Sequence, residues 1–174
     1  IENRGISGAT VWLNRSTTSN ANGAKNNTIK YCRIIAGSPT TNNSYGIVIS
    51  GKLSLDGEAA GNDGNTIEHN EIYRAYHGIK VSGGVDIGGY TQSLLIRNNN
   101  FGNNATVGDG LYYSINLRNV ENCIIDNNTF KVNSSTFAHF IYNSYSEGTI
   151  IKNNKINENE VSSAMYGIYD HYSN

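Results

Sequence analysis

Charge is scarce in this chain, long apolar runs are missing, and cysteine and proline are nearly so. Asp, Glu, Lys and Arg make up 16% of the 174 residues, and the formal net charge is −1. Non-specific nucleic-acid binding needs a basic face to displace counterions, so no nucleic-acid partner is expected. No apolar stretch approaches the roughly 20 residues of a membrane-spanning helix, so no membrane span is expected either. The opening Ile-Glu-Asn-Arg-Gly-Ile-Ser-Gly has neither the basic nor the apolar region of a signal peptide. A mature exported segment would begin the same way. Helical i, i+3, i+4 apolar spacing is rare. Asn, Ser and Thr are frequent, beside 19 Gly and 12 Tyr. Such a composition can mean disorder, but disorder combines low hydrophobicity with high net charge. Here short β-branched runs recur evenly between Asn/Gly clusters, which reads as all-β.

One pattern recurs five times: an apolar residue, four intervening positions, then a second apolar residue. The copies are Ile29 to Ile34, Ile67 to Ile72, Ile96 to Phe101, Ile125 to Phe130 and Ile151 to Ile156. Their starts lie 38, 29, 29 and 26 residues apart. A period in this range signals a solenoid or a propeller. Another strand precedes each copy, a sixth at Ile168 begins a further turn, and Gly46, Gly78 and Gly167 open three of the six before Ile47, Ile79 and Ile168. Each coil then holds three short strands, too few for a propeller blade, and a leucine-rich repeat would need an L-x-x-L-x-L pattern that is missing. The fourth hexad position is Cys32, Asn70, Asn99, Asn128 and Asn154. A sharp bend between strands suits Asn, which tolerates left-handed backbone angles. Stacked about 4.7–4.9 Å apart, these amides are expected to form a hydrogen-bonded ladder.

The Gly-Ile strand followed by Ile-x-x-Asn-x-Ile resembles the right-handed β-helix repeats of the pectate-lyase-like superfamily, over nearly the whole chain. The resemblance implies an all-β, right-handed parallel β-helix of five to six coils, forming one domain over residues 1–174. Similar repeats occur in bacterial exported and surface proteins, so a secreted or cell-surface location is implied. Neither end carries an amphipathic capping helix, though solenoids need caps. The chain is therefore expected to be a segment of a longer polypeptide with further domains.

Stacking turns the repeat into columns. Lys30, Glu68, Arg97, Asp126 and Lys152 form an outward column of alternating sign, read as a structural charge ladder. Cys32 and Cys123 fall three coil steps apart, roughly 14 Å, beyond the about 7 Å of a disulfide. Two free, largely buried thiols are expected, without a zinc site. Ala9, Tyr45, His77, Tyr113, His139 and Tyr166 form a column whose parity makes it inward or turn-facing, with ring stacking at a coil corner.

In enzymes of the resembling superfamily, substrate lies along the first-strand sheet. The outward column there is Trp12, Val48, Lys80, Asn116, Tyr142 and Tyr169. The next is Asn14, Ser50, Ser82, Arg118, Ser144 and His171. Aromatics beside polar groups suit sugar rings, which makes Trp12, Lys80, Arg118, Tyr142 and Tyr169 candidate ligand-binding residues. A glycosidase needs two carboxyls about 5–9.5 Å apart, and these columns hold none; Asp170 is nearby but expected to face inward. A polyuronate lyase, as the resemblance implies, needs an Arg or Lys base and often Ca²⁺. Lys80 and Arg118 would then be catalytic, with Asp56, Glu58, Asp63 and Asp86 as Ca²⁺ ligands. Loops of this composition are more often simple turns. The leading expectation is a non-catalytic stalk, adhesin or glycan-binding module without a cofactor. The alternative is a polysaccharide lyase, ahead of a glycoside hydrolase.

Overall fold

The computed structural model describes residues 1–14, 23–51, 55, 61–84, 89–102, 110–132, 138–158 and 165–173. Among these, all regular structure is strand. The first sheet has six strands: β1 (Gly8–Asn14), β4 (Ser44–Ser50), β7 (Ala75–Ser82), β11 (Leu111–Arg118), β15 (Ala138–Ser144) and β18 (Met165–His171). The second has five: β2 (Thr28–Lys30), β5 (Thr66–Glu68), β9 (Leu95–Arg97), β13 (Ile124–Asp126) and β16 (Ile150–Lys152). The third also has five: β3 (Arg33–Ile35), β6 (Glu71–Tyr73), β10 (Asn100–Phe101), β14 (Thr129–Val132) and β17 (Lys155–Glu158). A two-stranded sheet pairs β8 (Thr91–Gln92) with β12 (Val120–Glu121). Every pairing is parallel. The chain visits the second, third and first sheets in that order, circuit after circuit, an arrangement consistent with a β-solenoid.

The hexads are in register. Ile29, Ile67, Ile96, Ile125 and Ile151 pair across the second sheet. Ile34, Ile72, Phe101, Phe130 and Ile156 pair across the third. Together with Ile47, Ile79, Ile115 and Ile141 of the first sheet, all of these but Ile29, Ile151 and Ile156 belong to one continuous core; Ile29 and Ile151 pack against it, and Ile156, in the last circuit, is exposed. Fully burying each such side chain contributes about 1.5–3 kcal/mol. Cys123 is wholly buried, and burial pushes its thiol up to about 12, whereas Cys32 is half-buried; neither is in a disulfide.

The asparagine ladder forms. Asn99 Oδ1 accepts from the backbone N–H of Asn70 at 3.0 Å and from its Nδ2 at 3.1 Å. Asn128 and Asn154 repeat this one and two circuits on. Each Nδ2 also donates to the carbonyl of the Ile beginning the previous hexad, as Asn99 does to Ile67 at 2.9 Å. The bend differs from the expectation, however. The left-handed residues are Tyr31, His69, Asn98, Asn127 and Asn153, with φ between 52° and 55°, one position before the ladder. The bend precedes the ladder residue and leaves its amide free to bond along the stack. Tyr31 and His69 adopt this conformation at a cost of about 1–2 kcal/mol each.

A second correction concerns strand parity in the first sheet. Gly46 and Gly78 face the interior: a Cβ on Gly46 would lie 2.9 Å from Ile72 Cγ2, and one on Gly78 3.3 Å from Phe101 Cδ1. The following Ile47 and Ile79 face the interior as well. The adjacent pair Phe140 and Ile141 likewise both join the core. Two successive inward residues reverse the alternation. The column of Tyr45, His77, Tyr113, His139 and Tyr166 therefore lies on the outer side, with Lys80 and Asn116, and not inside.

Candidate functional site

The outer face of the first sheet carries an open depression of about 720 Å³. Three columns, each placed by strand register, run along this face and contribute lining residues. Trp12, Val48, Lys80, Asn116, Tyr142 and Tyr169 align as one. Ser82, Arg118, Ser144 and His171 align as the next. The displaced column of Tyr and His forms the third.

That third column is a tower of rings. Tyr45 and His77 stack with centroids 5.2 Å apart, His77 and Tyr113 at 5.0 Å, Tyr113 and His139 at 4.7 Å, and His139 and Tyr166 at 5.0 Å. The spacing is the strand separation itself, so the expected stacking forms, though on the other face. Beside it Tyr76 and Tyr112 stack at 4.4 Å, and Tyr142 and Tyr169 at 5.1 Å. Ring faces are thus largely spent on neighbouring rings. Edges and polar tips remain for a ligand lying across the strands.

Burial and crowding set the protonation of the tower. Burial, then the neighbouring phenols of Tyr112, Tyr76 and Tyr142, push Tyr113 up to about 12. Burial, then Tyr112, also raises Tyr76. Burial lowers His139, which favours its neutral form.

The sequence-predicted residues divide. Lys80, Arg118 and Tyr142 all line the depression. Lys80 pairs with Asn116 across the sheet and Arg118 with Ser82, so the two cations are diagonal neighbours on adjacent strands. Lys80 Nζ sits 5.2 Å from the Tyr45 ring centroid, and the Arg118 guanidinium carbon 5.9 Å from that of Tyr145. Asn116 Nδ2 lies 3.4 Å from His77 Nδ1. Tyr169 reaches the site through its stack on Tyr142. Trp12 stands apart: its Nε1 donates to Ser50 Oγ at 2.8 Å, and the wholly buried Val48 separates it from Lys80.

Sequence reasoning missed Tyr45, His77 and Tyr113 as lining residues. The doubled inward pair after them, opened by Gly46 and Gly78, was the available signal. No described lining residue is Asp or Glu, and Asp170 lies in the inward column, where its Oδ1 accepts from Asn143 Nδ2 at 3.0 Å. Of the candidate Ca²⁺ ligands, Asp56, Glu58 and Asp86 lie outside the described residues. Asp63 is bound elsewhere, in an ion pair with Lys25 at 3.2 Å and accepting from the Gln92 N–H. Among the described residues no group of three His, Cys, Asp or Glu is placed to hold a metal ion, and no helix is long and apolar enough to cross a membrane. No family model, curated protein or solved structure matches the chain.

Proposed function

We propose that this chain is a right-handed parallel β-helix module of the pectate-lyase-like kind, from a secreted or cell-surface bacterial protein, and that it works without catalysis as a glycan-binding stalk or adhesin. The observation that carries this reading is the depression on the first sheet. It combines tyrosine edges, Asn116 and two cationic side chains, and its described lining holds no carboxylate. Hydrolysis of a glycosidic bond uses a pair of carboxyl groups. Binding needs only donors, acceptors and apolar edges, repeated at the spacing of the strands. A saccharide lying along the strand stack would meet Lys80, Asn116 and Tyr142 in turn. The test is a glycan array with the whole chain, followed by Tyr142→Ala and Asn116→Ala. Saturable binding that both substitutions weaken supports the reading; binding that neither touches sinks it.

One observation favours a second reading. Lys80 and Arg118 lie diagonally in the same depression, which suits a polyuronate lyase in which one takes the proton from the carbon beside the carboxylate while the other neutralises that carboxylate, the electron pair forming the C=C bond as the glycosidic C–O bond breaks and the leaving oxygen takes a proton from water. Incubation with polygalacturonate, alginate and glycosaminoglycans, following absorbance of the unsaturated product, separates the two. Calcium-dependent turnover abolished by Lys80→Ala would replace the non-catalytic reading.

A further inference from the structure

The depression on the first sheet contains one contact whose sense depends on a proton. Asn116 Nδ2 lies 3.4 Å from His77 Nδ1. An amide nitrogen only donates, so the two bond when Nδ1 is bare and the imidazole proton sits on Nε2. Register brings them together. Tyr113 pairs with His77, and Asn116 with Lys80, so Asn116 reaches back diagonally across one strand step. At His139 the equivalent position is Tyr169, which turns a ring edge to the imidazole and carries no amide.

Holding Nδ2 on His77 fixes the other edge of the amide. Asn116 is half-buried and lines the depression. Among the described residues its hydrogen bond is through Nδ2, and Oδ1 is not one of the buried atoms lacking a partner. That oxygen therefore keeps surface open to a ligand. Protonation of His77 adds an N–H at Nδ1. Two donors then face each other, and a half-turn of the amide about its terminal torsion relieves them. Oδ1 accepts from Nδ1–H, and Nδ2 turns outward. The surroundings admit the charge. The His77 ring lies between the stacked rings of Tyr45 at 5.2 Å and Tyr113 at 5.0 Å, with Tyr76 edge-on at 5.0 Å, and ring faces attract a cation. Lys80, on the same strand, opposes it from over the Tyr45 ring. The three strands β4, β7 and β11 contain no Asp or Glu.

We propose that His77 is a positioning residue whose protonation decides which edge of the Asn116 amide the depression presents: the acceptor Oδ1 at neutral pH, the donor Nδ2 in acid. The consequence for ligands rests on the glycan reading of the depression; the turn of the amide does not. A hydroxyl serves either edge, because it both donates and accepts, whereas a carboxylate oxygen only accepts. Acid therefore turns the site toward anionic glycans, and His77 joins Lys80 and Arg118 as a third cation.

The whole chain, labelled with ¹³C and ¹⁵N and titrated without ligand from about pH 8 to about pH 5, spans the ordinary imidazole value of about 6.5. His77 Nδ1 is expected to be bare at the alkaline end. The His77 ring and the Asn116 side-chain amide should then move with one midpoint, the Nδ2 protons losing their Overhauser contact with the ring. A protonated Nδ1 at the alkaline end, or an Nδ2 contact that survives acid, overturns the proposal. Hexagalacturonate and cellohexaose serve as an anionic and a neutral probe. Affinity for hexagalacturonate should rise about tenfold between those limits, the scale of one charge-assisted hydrogen bond, while that for cellohexaose stays flat. His77→Phe keeps a ring between Tyr45 and Tyr113 but removes Nδ1, so the rise should vanish. His171, three strand steps or roughly 14 Å away, is common to both chains and cancels from that difference. An equal rise in His77→Phe overturns the proposal. Binding of neither probe sinks the glycan reading instead, and the ligand-free titration still decides the turn of the amide. Circular dichroism checks the fold of the variant; the titration of the unsubstituted chain does not depend on it.

Discussion

Two stacks of side chains run along this fold, and they obey different rules. The column of Asn70, Asn99, Asn128 and Asn154 repeats one residue, buries all but the last, and satisfies its amides within itself. The column of Lys80, Asn116 and Tyr142 keeps the same register but changes chemistry at every step. Strand pairing holds both at one spacing. A buried polar group must find a partner, and the surest partner in a repeat is a copy of itself. A solvent-facing position carries no such constraint. Repetition therefore marks what the architecture needs, and variation within register marks where function is free to act.

The largest predicted effect lies in the buried stack. Asn99→Leu strands the N–H of Asn70 and the carbonyl of Ile67, and should cost about 4 kcal/mol from two buried orphans. A shifted urea midpoint with unchanged slope measures it. Asn154→Leu removes equivalent bonds, from Asn128 and to Ile125, but at a half-buried end where water substitutes. About 1–2 kcal/mol is expected there. Equal losses at both positions would mean that burial is not what gives the ladder its value.

Protonation sharpens the other side of the comparison. The folded state keeps Tyr113 neutral up to about 12, from an ordinary 10.0. The unfolded chain then gives up its proton first. The stability this contributes is intact below pH 10 and lost as pH rises toward 12. His139 is lowered from 6.5, so the unfolded chain takes up a proton first as pH falls. Its contribution is intact above that value and lost below it. Urea midpoints across pH should show both flanks, with the alkaline one reduced in Tyr113→Phe and the acid one in His139→Phe. A flank unchanged by its substitution would break the link between ring burial and titration.

The sequence made the repeat legible because core residues answer to one requirement each. Ile67, Ile96 and Ile125 recur at the same phase, and the ladder asparagines follow three residues on. The bend was misplaced by one residue because Asn98, Asn127 and Asn153 sit beside the ladder asparagines, and composition alone cannot say which Asn turns. The tower of Tyr45, His77 and Tyr113 was placed on the wrong face because alternation was carried unbroken through Gly46 and Gly78. The packing of those glycines against Ile72 and Phe101 shows the reversal that the Gly-Ile pairs signal. Trp12 and Tyr142 share a column in sequence, yet the burial of Val48 between Trp12 and Lys80 depends on more than column membership.

The smallest effect tests whether outward register holds anything together. Arg97 places Nε and Nη2 both 2.8 Å from Glu68 Oε2, and Lys152 lies 3.8 Å from Asp126. These pairs occupy the alternating charge column, paired strand to strand. Exposed pairs trade Coulomb attraction against side-chain entropy and salt screening, and Arg97 is 45% exposed. Arg97→Met should therefore cost about 0.5 kcal/mol, fading in high salt. The substitution keeps the stem that covers the sheet, so the difference isolates the charge. A loss as large as that of Asn154→Leu would reverse the ranking: the charged column would then be fixing the register that the buried amides merely follow.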